Sequence, residues 1–329
     1  MVVNPDWKPV ATQSVLALRA TLLAGVRAYF AKQNVMEVDT PALSVAASTD
    51  PALISFTTIG HQDALVDSSP RYLHTSPEFP MKRLLAAGSG SIYQLCKVFR
   101  DGECGTRHNP EFTLLEWYRT GFDHLDLMDD VERLLLDVLA DIMPVSSVHH
   151  WCYRDLFLDI TGVDPFTASV QSLREMLESG FGVTAVGLAD DNPDSWLDLA
   201  MSHVIEPRLG EGLVFIRDYP ASQAALARLR SGSPVVASRF EAYLNGVELA
   251  NGFHELADAD EQARRFEHEN EQRIAAGYNS VPVDERLLAA LQSGLPDCAG
   301  VALGIDRLLM LACGATDIRQ VLAFPYELA

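Results

Sequence analysis

Residues 98–118 constrain the fold most strongly, because a polar stretch there separates two runs that are typical of β-strands. The flanking runs, residues 92–99 and 111–118, are rich in apolar and aromatic side chains. Side chains alternate between the two faces of a strand, so residues two apart lie on the same face. In the second run this spacing groups Phe112, Leu114, Glu116 and Tyr118. An aromatic ring and a carboxylate can therefore line one pocket on a β-sheet.

Patterns elsewhere predict helices around that sheet and favour one α+β domain, residues 1–329, with a mainly antiparallel sheet. Asn245-Gly246, between two apolar runs, predicts a two-residue β-hairpin turn. Asp258 and Glu261 predict a capping box at the start of a helix. Helices are predicted at residues 15–30, 125–142, 169–179, 195–209, 258–277 and 285–293, with further strands at 71–75 and 213–217 and a final strand and helix at 300–313.

Composition excludes some classes of function. The chain has 25 basic and 45 acidic residues and a net charge of -20, so wrapping by tRNA or DNA is disfavoured, whereas an acidic surface can steer a basic protein partner. The five cysteines form no C-x-x-C pair, which fits a reducing cytoplasm without disulfides or zinc. No signal peptide and no bilayer-spanning apolar run is recognised. A soluble cytoplasmic protein is expected, with His149-His150 in a loop.

The stretch VFRDGECGTRHNPEFTLLEWY resembles motif 2 of class II aminoacyl-tRNA synthetases, in the form found in the lysyl-tRNA synthetase group. The resemblance implies that Arg100 binds the α-phosphate of ATP, where an arginine fork stabilises charge that builds up on phosphate oxygens. It further implies that Phe112 stacks on adenine, that Asn109 contacts the nucleotide, and that Glu116 and Tyr118 face the amino acid.

The loop of this motif departs from the family pattern. The family commonly has Arg-x-Glu, whereas this chain reads Arg100-Asp101-Gly102-Glu103. All four residues are expected to belong to the ATP site. The motif carboxylate either comes from Glu103 after a shifted loop or is absent.

A second stretch, GVALGIDRLLML, resembles motif 3 of the same class. Small residues at Gly300, Ala302 and Gly304 let a ligand approach the strand, with Gly304 next to ATP. Arg307 is expected to stack on adenine or to bind the γ-phosphate, which makes it catalytic together with the motif 2 arginine. The alternative is a plain strand-to-helix turn in which Asp306 caps the helix.

The stretch NGVELANGFHEL resembles the metal and substrate strand of the lysine-type synthetases. Glu248 and Glu255 are the carboxylates that Mg²⁺ bridging the ATP phosphates would need. An uninterrupted strand would place them on opposite faces, so we expect a β-bulge at Gly252. The resemblance also implies that Leu249 contacts ATP and that Asn251 contacts the substrate.

The stretch HTSPEFPMKRLL completes the pattern. Ser76 suits a helix cap and Pro77 the first helical position. The resemblance implies that Ser76, Pro77 and Glu78 bind substrate, with Glu78 reading an amino group. The negative charge is greater than a metal requires, since three glutamates contribute to it: Glu78, Glu116 and Glu255. This excess suits a dicationic diamino acid such as lysine or β-lysine.

The resemblance covers the chain from about residue 15 onward, and residues 35–41, VMEVDTP, match motif 1, which implies a homodimer. No room is left for the N-terminal OB-fold anticodon domain of a lysyl-tRNA synthetase. The chain therefore resembles the elongation factor P β-lysine ligase family, which implies ATP and Mg²⁺ as cofactors, elongation factor P as acceptor and no stable tRNA binding. Ala302 supports this, because lysyl-tRNA synthetases typically have glycine there. A truncated tRNA-charging enzyme and a silent amino-acid sensor are the alternatives.

Overall fold

The computed structural model describes residues 7–58, 70–185, 188 and 192–329. The described α-helices are α1 (Gln13–Lys32), α2 (Glu78–Ala86), α3 (His124–Leu139), α4 (Tyr153–Thr161), α5 (Val170–Glu175), α6 (Pro193–Ala200), α7 (Ala259–Ala275), α8 (Glu285–Gly294) and α9 (Ile305–Cys313). The described strands are β1 (Met36–Glu37), β2 (Leu43–Ser44), β3 (Thr57–Thr58), β4 (Arg71–Leu73), β5 (Ile92–Phe99), β6 (Glu111–Thr120), β7 (Val148–Cys152), β8 (Leu213–Pro220), β9 (Leu229–Arg230), β10 (Val236–Leu244), β11 (Val247–His254) and β12 (Cys298–Gly304).

Nine of the described strands form the main sheet, in the order β1-β5-β6-β12-β11-β10-β8-β7, with β9 beside β10. The inner neighbours are antiparallel, whereas the pairs β1–β5 and β7–β8 at the two edges are parallel. Strands β2, β4 and β3 form a small second sheet. The prediction of an α+β fold with a mainly antiparallel sheet is confirmed.

The hairpin between β10 and β11 is the one that the sequence predicted. Asn245 and Gly246 have φ angles of 51° and 73°. Positive φ at both central residues is what a type I′ turn requires, and asparagine and glycine tolerate it best. This turn sets the register of two strands in the middle of the sheet.

One face of the sheet packs against helices α1, α3 and α9. Leu115 and Trp117 of β6 point into this core, together with Phe30 of α1 and Leu134 of α3. Full burial of one such apolar side chain contributes about 1.5–3 kcal/mol. Successive side chains of β6 point to opposite faces of the sheet. The residues between those buried in the core therefore lie on the other face, where they can line a site.

Of the described helices, one is long and apolar enough to cross a membrane, and this helix is α1. No such segment was expected from the sequence. Core helices of soluble proteins meet the same weak criterion. Its buried residues, including Leu22, Val26 and Phe30, belong to the main apolar core.

Three local predictions were wrong in detail. His149-His150 does not lie in a loop but in β7, an edge strand whose histidines are exposed and which pairs with β8. Helix α2 begins one residue later than expected, with Pro77 as its N-cap, although the Ser76 hydroxyl does accept a hydrogen bond from the Glu78 N–H at 3.0 Å. The helices predicted at 169–179 and 195–209 each begin as an α-helix and continue as a π-helical turn.

The capping box expected at the start of α7 is half formed. Asp258 accepts a hydrogen bond from the Glu261 N–H at 2.9 Å. The Glu261 carboxylate instead accepts hydrogen bonds from Arg264 and Arg265. Nearby arginines on the same helix face therefore compete successfully with the backbone N–H for this carboxylate.

Candidate active site

A cavity of about 560 Å³ opens over the sheet face opposite the main core. Its floor contains a row of cross-strand neighbours, in which Glu116 of β6 pairs with Ala302 of β12 and Ala302 pairs with Asn251 of β11. In the next row Tyr118 pairs with Gly300. Residues from three separated stretches of sequence are thus brought together by antiparallel pairing.

Most of the site residues that the sequence predicted line this cavity. They are Ser76, Glu78, Arg100, Glu103, Asn109, Phe112, Glu116, Tyr118, Glu248, Leu249, Asn251, Glu255, Ala302, Gly304 and Arg307. The predicted contacts Pro77, Asp101 and Gly102 are not among its lining residues. Pro77 is used as a helix cap, and Gly102 occupies a turn with a φ angle of 81°.

Glu116 is a buried carboxylate with two hydroxyl donors. Ser76 donates to its Oε2 at 2.6 Å and Tyr118 donates to its Oε1 at 2.7 Å. Burial, followed by the charge of Glu78, raises the pKa of Glu116 to about 8. A carboxyl group in this condition gains stability when a cation binds beside it, because the cation favours the ionised form.

Lys82 was not predicted as a site residue. Its side chain is 1% exposed, and Nζ donates a hydrogen bond to Glu78 Oε1 at 2.6 Å. Nζ also lies 2.6 Å from Glu255 Oε2, an ion pair outside ideal hydrogen-bonding geometry. The sequence did contain one indication of this ion pair, because Glu78 and Lys82 are four residues apart on a predicted helix. This placement of Glu255 beside an ammonium group argues against a metal there.

Gly300 is required by packing rather than by a ligand. A Cβ atom at this position would lie 2.2 Å from Cε1 of Tyr118 and 2.5 Å from Oε1 of Glu255. Any side chain would displace both cavity residues. At Gly304, in contrast, a Cβ would meet no atom closer than 3.9 Å, so space remains above the strand at this position.

Arg100 lies at the cavity wall with a partner from its own loop. Its guanidinium lies 3.4 Å from Glu103 Oε1 and 5.0 Å from the ring centre of Phe112. Glu103, and not Asp101, is therefore the loop carboxylate at the cavity. The shifted-loop alternative from the sequence fits this geometry.

Arg307, on the first turn of α9, faces the same cavity. Its Nη1 lies 3.1 Å from both the carboxylate and the backbone oxygen of Glu248, and its Nη2 lies 2.8 Å from His108 Nε2. Burial and the charge of Arg307 lower the pKa of His108, so the neutral imidazole can accept this hydrogen bond. His108 was not predicted as a site residue, because its partner comes from a distant motif.

The helix that carries Arg307 is fixed to the sheet by a buried carboxylate. Asp306 is 1% exposed, accepts a hydrogen bond from the Thr113 N–H at 2.6 Å and pairs with Arg19. The alternative in which Asp306 caps its own helix is not observed, since Gly304 is the N-cap.

The bulge in β11 lies at Leu249 and not at Gly252. Ala242 pairs with Ala250, whereas Tyr243 pairs with Glu248, so Leu249 is the extra residue. This shift brings Glu248 to the cavity face, as the sequence reasoning required. Gly252 pairs regularly, and a Cβ there would lie 2.5 Å from the Phe240 ring.

The side chains of the two asparagines at the site make hydrogen bonds within the protein. Asn109 donates to the backbone oxygen of Glu111 at 2.6 Å and accepts from the Tyr326 N–H at 3.1 Å. Asn251 Oδ1 accepts a hydrogen bond from Arg239 Nε at 3.2 Å. Because the oxygen of Asn251 is used in this way, a ligand would meet its amide nitrogen.

Within the part of the chain that the structure describes, no group of three His, Cys, Asp or Glu side chains is placed to hold a metal ion. Glu248 nevertheless borders the cavity beside Arg307, and its partial burial and the charge of Glu241 raise its pKa. Mg²⁺ in nucleotide sites is commonly held by one or two carboxylates plus phosphate oxygens. The donor set thus fits a metal that arrives with a nucleotide.

Comparison with known proteins identifies the class that this fold and cavity define. The family model of class II tRNA synthetases (D, K and N) matches residues 6–328, and the chain belongs to that family. The elongation factor P–(R)-β-lysine ligase of Vibrio cholerae serotype O1 is 48% identical over 327 residues, covering 99% of each chain. Proteins of the same name from Photobacterium profundum and Pectobacterium atrosepticum are 46% and 45% identical, covering 99% and 98% of this chain and 100% and 98% of theirs. The resemblance inferred from the motifs is confirmed.

Proposed function

We propose that this chain activates (R)-β-lysine with ATP as an aminoacyl-adenylate and transfers it to a lysine side chain of translation elongation factor P. One observation carries the proposal: Arg100 and Arg307 border the same cavity as the row formed by Glu116, Ala302 and Asn251. A triphosphate and an amino acid can therefore bind side by side. The substrate and acceptor follow the names of the relatives.

Arg100 and Arg307 are the residues that would bind the triphosphate. Their present partners, Glu103 and Glu248, lie 3.4 and 3.1 Å away, and both guanidiniums are partly exposed to the cavity. Phosphate oxygens can replace carboxylates as bidentate acceptors. When the amino-acid carboxylate attacks the α-phosphate and pyrophosphate leaves, the two arginines stabilise the charge on the phosphate oxygens.

The amino acid would bind over the row of Glu116, Ala302 and Asn251. Glu116 and Glu78 suit its ammonium groups, and the amide nitrogen of Asn251 suits its carboxylate. In the second step the neutral ε-amine of the acceptor lysine attacks the adenylate carbonyl. The new C–N bond replaces the bond to phosphate, AMP leaves, and the amine releases a proton.

Glu248 would hold Mg²⁺ together with the phosphates. When bound, this ion neutralises part of the triphosphate charge. Glu255, which is paired with Lys82, serves the amino-acid side of the site instead. A homodimer, a cytoplasmic location and the absence of stable tRNA binding are further parts of the proposal. They are supported, in that order, by the motif 1 segment, the free cysteines and the net charge of -20.

The test is to incubate the protein with ATP, Mg²⁺ and either α-lysine or (R)-β-lysine, offering elongation factor P or tRNA as acceptor. Intact mass measurement should show one β-lysyl group added to elongation factor P and none to tRNA. Arg307→Ala is the control for non-enzymatic acylation. Charging of tRNA with α-lysine would support the truncated synthetase, and binding of lysine without ATP turnover would support the silent sensor; the relatives favour neither.

A further inference from the structure

Lys82 is a buried cation whose two partners, Glu78 and Glu255, line the cavity. Lysine is rarely buried completely unless it is paired, and its side chain is only 1% exposed. Burial alone would lower the pKa of Lys82, but the charges of Glu255 and Glu78 outweigh this effect and raise the pKa. The ammonium group therefore stays charged, and its two partners are carboxylates of the cavity wall.

The charges around Lys82 match a particular substrate. Three carboxylates on this side of the cavity, Glu78, Glu116 and Glu255, interact with one another, and Lys82 supplies one positive charge against them. Arg228 also lies near Glu255 but is paired with Asp297 at 2.9 Å. When all three carboxylates are ionised, which bound ammonium groups favour, the charge of Lys82 leaves two negative charges, and a diamino acid brings two ammonium groups.

Lys82 also joins two elements across the site. Glu78 and Lys82 lie one turn apart on α2, whereas Glu255 follows the end of β11. A single Nζ atom 2.6 Å from both carboxylates fixes the separation between the helix and the strand at the place where the substrate amines would fit.

We propose that Lys82 is a positioning residue that sets the specificity for diamino acids. It holds the Glu78 and Glu255 carboxylates in place and balances one of their charges, so that the wall presents two anions at a fixed spacing. This inference rests on the proposed function, because it concerns how the same site reads its amino acid.

The experiment compares wild type with Lys82→Met, which keeps the length of the side chain and removes the charge. Lys32→Met is the matched control, because Lys32 is an exposed lysine with a surface partner, Asp137, at 3.7 Å. Amino-acid-dependent pyrophosphate exchange is measured with β-lysine and with 3-aminohexanoic acid, which is β-lysine without its terminal amine.

For Lys82→Met we expect the KM for β-lysine to rise about tenfold to a hundredfold, a typical loss for a charged partner, with the KM for ATP and kcat nearly unchanged. The preference for β-lysine over 3-aminohexanoic acid should fall by a similar factor. Loss of the buried charge should lower the melting temperature in either case, whereas a purely structural role would lower kcat without changing that preference. Lys32→Met should behave as wild type.

A folded Lys82→Met variant with wild-type KM and preference, or with tighter β-lysine binding, would overturn the inference. If Lys82→Met does not fold, Lys82→Arg decides, since it keeps the charge but its planar fork cannot occupy the same point between two carboxylates. A raised β-lysine KM at unchanged ATP KM supports the inference, and a wild-type KM overturns it. A wild-type protein that activates no diamino acid would overturn the proposed function and this inference together.

Discussion

Ala302→Gly should relax the discrimination between β-lysine and α-lysine. Ala302 lies in β12 between Glu116 and Asn251, and its side chain borders the cavity. Its methyl group therefore stands between a residue proposed for an ammonium group and one proposed for the carboxylate. An amino group on the α-carbon must fit in this narrow space, whereas a β-amino group is one carbon further from the carboxylate.

The expected magnitude follows from the size of the change. One methyl group in a pocket typically discriminates by about 1–3 kcal/mol, or roughly tenfold to two-hundredfold in catalytic efficiency. Replacing alanine by glycine inside a strand costs about 0.5–1 kcal/mol of stability, which is small compared with the roughly 5–15 kcal/mol of a folded domain. The variant should therefore fold, and the efficiency for α-lysine relative to β-lysine should rise by this factor.

The assay is pyrophosphate exchange with each isomer, compared as a ratio of kcat/KM values. Ala299→Gly is the matched control, because Ala299 lies in the same strand but is buried on the core face. An unchanged ratio in Ala302→Gly, or an equal change in Ala299→Gly, would refute the steric argument. Transfer of α-lysine to tRNA should still fail, since the charge of -20 is unaffected.

Other consequences follow from the same site. Arg100→Ala and Arg307→Ala should each lower pyrophosphate exchange by about a hundredfold or more with an unchanged far-ultraviolet spectrum, and near-wild-type exchange in both would contradict adenylation in this cavity. Glu248→Gln should raise the Mg²⁺ concentration needed for half-maximal exchange, whereas Glu78→Gln should raise the amino-acid KM; a magnesium titration that shifts both variants alike would contradict this division. The pKa of Glu116 is raised from 4.5 to about 8, and only the ionised carboxylate attracts an ammonium group, so the β-lysine KM should fall as pH rises towards about 8 and Glu116→Gln should flatten that dependence. Because the folded protein binds this proton more tightly than the unfolded chain, the melting temperature without ligand should decrease over the same pH range, and Glu116→Gln should lessen the decrease.

The sequence was sufficient for features that depend on neighbours close along the chain. Alternation in β6 correctly placed Glu116 and Tyr118 on one face, because a period of two follows from strand geometry alone. The turn at Asn245-Gly246 was equally local, since it depends on two φ angles. The motif resemblance then supplied what periodicity cannot, namely that residues of β6, β11 and β12 belong to one site.

The position of the bulge could not be predicted, because it depends on the neighbouring strand. A glycine in a strand indicates either a bulge or a close approach of another group. Gly252 is the second case, since the Phe240 ring occupies the place of its side chain. Leu249, the residue that is bulged, carries no sequence signal of its own, and its identity follows only from the pairing of Tyr243 with Glu248.

Lys82 was missed for a related physical reason. On a helix, the spacing between Glu78 and Lys82 usually indicates an exposed ion pair worth only a few tenths of a kcal/mol. Here the same pair is buried, because β11 brings the Glu255 carboxylate to the other side of the ammonium group. Removing one partner from a buried pair leaves an uncompensated charge, at a typical cost of about 3–5 kcal/mol. The local pattern was therefore visible in the sequence, but its importance arises only from a third residue that the fold supplies.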